Sequence, residues 1–289
     1  MTQNIRRSVA AGLFYEEDPN ALKKQIVECF ESKRGPGDLP VNKRKGFIQG
    51  AIIPHAGYIY SGPCAAWAYK ELAEAEMPDL YIIIGPNHTG LGGSALTTNA
   101  FETPFGIVRC DKSFATELLK KGSIVESELP HLEEHSIEVQ LPFLQFINEE
   151  RINELKILPI VLSHDFNYKK LALDIKETIV ETKKRVTIIA SSDFTHYGHN
   201  YGYLPFTTDV EKRIYQLDKK AINFIRKYDD VGFLNYVYET GATICGAIPI
   251  ATLIKSVKEN KTELLQYYTS GDVMGSYRNS VSYASIIFR

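Results

Sequence analysis

The sequence has little that would tie it to a membrane, a polyanion or an oxidising compartment. No stretch reaches the roughly 20 consecutive apolar residues that a membrane helix needs. The opening MTQNIRRSVAAGLFYEED has two arginines but lacks the apolar core of a secretory signal. With 33 basic and 35 acidic residues the net charge is −2, so no concentrated basic surface is available for nucleic acid. The one basic run, Lys43 to Lys45, is short enough to be a solvated loop. Four cysteines, Cys29, Cys64, Cys110 and Cys245, lie far apart with no C-x-x-C pair. That spacing excludes a disulfide framework or a zinc knuckle and points to a reducing cytoplasm. There is no internal repeat and no low-complexity tract.

What is present is a globular chain of 289 residues, 44% hydrophobic and 24% charged. Residues 49–54 (QGAIIP), 80–85 (LYIIIG), 156–162 (KILPIVL) and 186–191 (VTIIAS) are short, nearly continuous apolar runs, as strands buried on both faces read. Helical patterns over 63–75, 112–121, 133–148 and 168–183 alternate with them. That rhythm predicts a three-layer α/β/α fold with a largely parallel central sheet. Residues 94–99 and 105–110 flank Pro104 and read as an antiparallel pair at an edge; 264–269 and 282–288 read as two further strands. Asp18 and Pro19 mark the start of a first helix that ends by Gly35. Gly35 to Asn42 is Gly/Pro-rich, but too few residues precede it for a separate unit. The expectation is one domain over residues 1–289.

Ligands of open α/β sheets bind beyond the carboxyl ends of the strands. The first of the four apolar runs leads into Pro54-His55-Ala56-Gly57, the second into Asn87-His88-Thr89-Gly90 and the fourth into Asp193-Phe194-Thr195-His196. A lone histidine in such a place is more often a hydrogen-bonded loop residue, but three together favour a site. Glycine and proline around His55 and His88 supply tight turns that hold an imidazole at a fixed angle. Cys245 precedes an apolar helix over 246–255, and a thiol at a helix start is lowered toward the thiolate that metals and nucleophilic chemistry need. The other three cysteines read as buried and inert. His135 and Glu138, one turn apart, can share a face and meet a common ligand, although a solvent-facing stripe explains the same letters. His199 sits in a polar loop suited to solvent or substrate, and His164 is a weaker strand-end candidate. Tyr58, Tyr60, Tyr197, Tyr201 and Tyr203 lie near the same loops.

The strings PHAGYIYSG, GPNHTG, EEHSIEVQLPFLQ, ASSDFTHYG, TICGAIP and SGDVMGSYRNSVSYASIIF, in this order from near residue 6 to the C-terminus, resemble the Memo family. That family is similar in fold to the class III extradiol dioxygenases, whose non-haem iron is held by two histidines and a carboxylate. The resemblance implies that His55 and His88 are the two metal histidines, that Cys245 stands in the place of the carboxylate, and that His196 is the acid/base histidine. A thiolate is softer than a carboxylate, which moves preference toward copper(I), zinc or thiolate-bound iron. Where the family often has proline after Ala-Gly-x-Phe-Tyr, this chain has Glu16, a local loop difference. The family's composite name also implies a link to an AMMECR-type protein and a radical-SAM protein.

The leading expectation is a metal-dependent redox or dioxygenase-like enzyme acting on a small molecule, with iron or copper ahead of zinc. Its metal ligands are His55, His88 and Cys245; His196 and Asp193 handle protons, Asp193 orienting His196 or a bound water. His135, Glu138, His199 and Tyr58 are candidates for substrate contact or support. Two rivals stand beside it. One is a non-catalytic module that uses the pocket for a peptide or anionic ligand; the other is a zinc hydrolase, for which no H-E-x-x-H motif is present.

Overall fold

The computed structural model describes residues 4–41 and 45–289. Lys43 and Arg44, most of the short basic run, therefore lie outside the described residues. Within them a twelve-stranded sheet lies between helices on both faces, the α/β/α arrangement expected. Its centre is five adjacent parallel strands, in the order Gly106–Cys110, Lys156–Leu162, Leu80–Pro86, Val186–Ser191 and Gly50–Ile53. Asn279–Phe288 then pairs antiparallel with Gly50–Ile53 and carries Thr262–Thr269 and His196–Gly198 as antiparallel neighbours. No helix among the described residues is long and apolar enough to cross a membrane.

The apolar runs form central strands because successive side chains point to opposite faces and both faces are covered. In Leu80–Pro86, Tyr81 and Ile83 enter one core with helices Pro19–Glu31, Tyr58–Glu74 and Leu141–Ile147. Leu80, Ile82 and Ile84 enter the other, packed by helices Lys112–Lys120, Tyr168–Thr182, Val210–Arg226, Asp230–Thr240 and Ala247–Ser256. Burying each such aliphatic side chain contributes about 1.5–3 kcal/mol. The first helix starts as read, with the Asp18 carboxylate accepting from the amides of Asn20 and Ala21 and Pro19 in the first turn.

Two expectations change. Gly106–Cys110, the outermost of the five parallel strands, does have an antiparallel partner, but it is Ala100–Thr103, not 94–99. The register closes at Thr103 opposite Gly106, leaving Pro104 and Phe105 as the turn, with Gly106 at φ +106°. Of 94–99 only Ala95–Leu96 is strand, and it pairs with Lys156–Leu162 and Val125–Glu126. The single helix expected over 133–148 is instead a turn at Glu138–Gln140 leading into Leu141–Ile147. Glu134 is instead spent on a tertiary bond, accepting from the amide of His88, and on a local turn, accepting from that of Ser136.

Glu138 shows the same override most fully. Its carboxylate is completely buried and accepts from the amides of Val9 and Ala10 at 2.9 and 2.8 Å, from the Tyr15 hydroxyl at 2.7 Å, and from the Arg6 guanidinium. Arg6, itself buried, also donates to the carbonyls of His131 (2.8 Å) and Glu134 (2.7 Å). One ion pair thus clamps the N-terminal segment onto residues 131–138. Arg6→Met keeps bulk but leaves the carboxylate buried without its cation, and is expected to lower the free energy of unfolding by about 3–5 kcal/mol. Urea unfolding measures this, and adding Glu138→Gln to Arg6→Met should recover part of the loss. A loss under about 1 kcal/mol, the scale of an exposed pair, would refute the clamp.

Candidate metal centre

Three adjacent parallel strands deliver the site. Leu80–Pro86 ends into His88, Val186–Ser191 into Ser192 and Asp193, and Gly50–Ile53 into His55. Two further segments are brought against these ends by glycines that nothing larger could replace. A Cβ on Gly85 would lie 2.3 Å from the Ser136 hydroxyl, so the Glu134-His135-Ser136 turn sits directly on the strand that carries His88. A Cβ on Gly246 would lie 2.4 Å from the Ser192 side chain, so Cys245, just before helix Ala247–Ser256, meets the end of Val186–Ser191.

The result is a cluster in which ligating atoms of His55, His88 and His135 all lie within 4.8 Å of one another. Cys245 Sγ is 3.3 Å from His55 Nε2 and also interacts with His88. His55 is buried, His135 is half-buried and His88 is exposed, so the cluster is closed on one side and open on the other.

The hydrogen bonds fix the tautomers. Ser191 Oγ donates to the Ser136 carbonyl at 2.6 Å and accepts from Gln140 Nε2 at 2.7 Å. Its only hydrogen is used, so His55 Nδ1, 2.9 Å away, must be the donor in that contact. Nε2 of His55 is left to face Cys245, the two sharing one proton until a metal displaces it. His88 Nδ1 lies 2.9 Å from the Glu134 carboxylate, which also accepts from the His88 amide at 2.7 Å. Its Nδ1 is therefore likewise the donor. Imidazoles held at Nδ1 by an oxygen and presenting Nε2 are the arrangement that metal-binding histidines use.

The charges follow from these contacts. Burial favours the neutral form of His55 and holds its pKa below the usual value. Burial works the same way on His88, but Cys245 and Glu134 outweigh it and raise it to about 10. Burial would raise the Cys245 thiol, yet His55 and His88 bring it down to about 6. The lowered thiol expected from the helix start is therefore present, with the imidazoles as its cause. Burial opposes ionisation of Glu134, but His88 wins and holds it at about 2. His135 is pushed down to about 4, chiefly by burial, and its ring stacks on Phe14 at 4.3 Å. Without metal, a charged His88 stands between the Glu134 carboxylate and a Cys245–His55 pair that shares one proton across its 3.3 Å contact.

The other candidates fall in several places. Asp193 is buried and accepts from the backbone amides of His55, at 2.9 Å, and Ala56. It therefore holds the His55 turn, and no hydrogen bond joins it to His196. His196 turns its Nδ1 to the carbonyls of Phe194 and Thr243, both at 2.9 Å, which makes Nδ1 a donor and leaves Nε2 free. Tyr58 is buried, its hydroxyl donating to the Val139 carbonyl at 2.7 Å, and serves the core rather than a ligand. Glu138 points to Arg6, not to the face of His135, because the segment is not one helix. His199 and His164 are exposed. Sequence reasoning did not pick out Glu134, Ser191 or Gln140. Ser191 is the last residue of its strand, where a serine carries no distinctive signal.

Residues 6–287 match the family model described as Memo-like protein. A MEMO1 family protein of Methanopyrus kandleri is 40% identical over 296 residues, covering 98% of this chain and 99% of that one. Similar proteins of Methanothermobacter thermautotrophicus (39%) and Nitrosopumilus maritimus (38%) each span 98% of this chain and 99% of their own length.

The depressed Glu134 carboxyl has a direct consequence for acid stability. Its ordinary pKa of 4.5 falls to about 2 in the folded protein. A depressed acid contributes stability that is fully present above the unfolded value and is lost as pH falls through the folded one. The stability advantage of the metal-free parent over Glu134→Gln should therefore be fullest between pH 4.5 and 6.5, the ordinary values of Glu134 and His88, and shrink as pH falls from 4.5 to about 2. Denaturant melts of both proteins across that range measure it; an advantage that does not narrow would place the charge of Glu134 elsewhere.

Proposed function

The chain belongs to the Memo family, and from that premise we propose that it is a metal-dependent redox enzyme acting on a small molecule, with iron or copper as its metal. The observation that carries this reading is the pair of Nε2 atoms, on His55 and His88, that share the Cys245 sulfur and become lone-pair donors once a metal displaces their protons. His135 adds a third nitrogen from the facing turn.

The donor set fits a soft or borderline transition metal: imidazole nitrogens with one thiolate favour copper(I), zinc or iron over magnesium or calcium. Once bound, iron or copper supplies electron transfer and Lewis acidity. The rest is the work of this chain's own side chains. Ser191 and Glu134 hold the two imidazoles in their tautomers. Asp193 fixes the His55 turn through its amide. His196, with Nδ1–H committed to carbonyls, keeps Nε2 to take a proton from a substrate on the open side of the cluster. Tyr201, whose ring centroid lies 5.2 Å from that of His196 and which is 42% exposed, can offer such a substrate an amphipathic wall.

Cys245→Ser should remove the soft donor and weaken copper(I) far more than iron(II), whereas a merely buried cysteine would cost stability and leave both affinities alone. Titrations of parent and variant, with melts of the metal-free forms, separate these. Because His88 is protonated at neutral pH in the metal-free protein, binding should expel about one proton there, and affinity should fall as pH is lowered. Calorimetry in buffers of different ionisation enthalpy counts that proton. Unchanged iron and copper binding in the His55→Ala, His88→Ala double variant would end the metal reading. For catalysis the readout is oxygen uptake with catechol probes, lost in His196→Ala; no uptake by iron- and copper-loaded parent would favour the binding module.

A further inference from the structure

The helix Val210–Arg226 carries on its outer side a charge pattern that the metal chemistry does not use. Lys212-Arg213, Lys219-Lys220 and Arg226-Lys227 are three basic pairs, each seven residues after the last, with Lys227 just past the helix end. All six are exposed, and so are Gln216 and Asn223 between them. Seven residues bring a helix round to almost the same side and about 10.5 Å further on, so the pairs form one ridge about 21 Å long. Five residues separate one pair from the next in the sequence, so neither a basic run nor the net charge of −2 reveals the ridge. Surface helices commonly balance such charges with acids three or four residues away, as Lys24 does with Glu28 and Lys170 with Asp174. On the ridge, Gln216 and Asn223 stand four residues after Lys212 and Lys219, where such acids would be. None of the six is in an ion pair among the described residues; Arg213 lies over the Phe206 ring instead, 5.6 Å from its centre. Exposed acids bound the ridge, Asp209 and Glu211 before it and Asp229 after it.

Spacing and charge together select the occupant. One side of an extended strand repeats about every 6.8 Å, whereas one side of a second helix repeats at the same interval as the ridge, about 10.5 Å. Taking away the six cations leaves the rest of the chain at −8 against a total of −2. A broad polyanion such as duplex DNA or an anionic bilayer would meet that negative remainder too, over a screening length of about 8–10 Å, whereas a single helix meets only the ridge. Nor does the helix have an apolar face to insert into a bilayer, because Ile214, Ala221, Ile222 and Ile225 are buried in the protein. We propose that the ridge docks a helix of an acidic partner protein, one that carries carboxylates in pairs at seven-residue intervals. Contacts between exposed charges of this kind are steered, salt-sensitive and short-lived. The inner side of the docking helix reaches the metal site's surroundings: buried Asp218 accepts from the Tyr267 hydroxyl at 2.5 Å and, at 2.6 Å, from the hydroxyl of Thr195, the residue before His196. A partner on the ridge thus contacts the helix that holds the His196 turn.

The test uses the full chain and two fluorescently labelled helical peptides of identical composition. In the first, three Glu-Glu pairs recur every seven residues; in the second, the same pairs are spaced five and nine residues apart and fall on different sides of the helix. Anisotropy at low salt should show saturable binding of the first peptide, at least about tenfold tighter than the second and weakening as salt is raised. Lys219→Glu with Lys220→Glu, both at exposed positions, should abolish that binding and leave the melting temperature within a few degrees. A peptide whose middle pair is Lys-Lys should bind this variant again. Lys219→Gln with Lys220→Gln, which only removes charge, should weaken the first peptide to a lesser degree. Equal affinity for the two peptides overturns the proposal, because the ridge would then attract any anion, and so does binding that survives undiminished in the folded Glu variant. Phosphatidylserine vesicles or a DNA duplex bound more tightly than the first peptide at physiological salt would give the ridge to a membrane or to nucleic acid. Dimerisation of the parent that is lost in the variant would give it to a second copy; each of these outcomes also overturns the proposal.

Discussion

A carboxylate with no access to water must be met by donors, and at Glu138 that requirement organises the neighbourhood of the site. Four donors converge on it: Arg6, two successive amides of the N-terminal segment and the Tyr15 hydroxyl. The same arginine holds the carbonyls on either side of Leu132 and Glu133, so the segment 131–138 cannot swing from the strand ends without exposing a buried charge. On that anchored segment sit Glu134, which orients His88, and His135, which joins the cluster. The ion pair is remote from the chemistry and yet sets its geometry.

The second constraint is the competition for the Ser191 hydroxyl. One hydrogen, committed to the Ser136 carbonyl, compels His55 to donate from Nδ1 and present Nε2 inward. Gln140, positioned by the Tyr69 hydroxyl at 2.6 Å, closes the arrangement by donating to Ser191 and to the Pro54 carbonyl. A network in which every member is satisfied has one protonation pattern, and that pre-organises a site before any ligand arrives.

Burial and charge oppose each other throughout the cluster, and the contacts decide which wins. At His55 burial prevails and holds the pKa down; at His88 Cys245 and Glu134 prevail and raise it. Groups with pKa values driven apart within one small volume are what functional sites characteristically contain.

By itself the sequence determined the four central strands and their largely parallel arrangement. Lys156–Leu162 and Val186–Ser191 coincide with the apolar runs, because a strand covered on both faces leaves a run with few polar breaks. It also placed His55 and His88 just beyond strand ends, since glycine and proline mark those turns, and it put Cys245 before an apolar helix. Family resemblance added which of these share a centre. Tertiary structure alone decided what surrounds them. The pairing of 106–110 with 100–103 followed from a two-residue turn, and the loss of the helix expected over 133–148 followed from long-range bonds to Arg6 and to the His88 amide. Glu134 and Glu138 are both acidic residues of one polar stretch, yet one faces His88 and the other Arg6. Local sequence cannot tell them apart, because each is assigned by partners that lie far away along the chain and meet it only when the sheet is assembled.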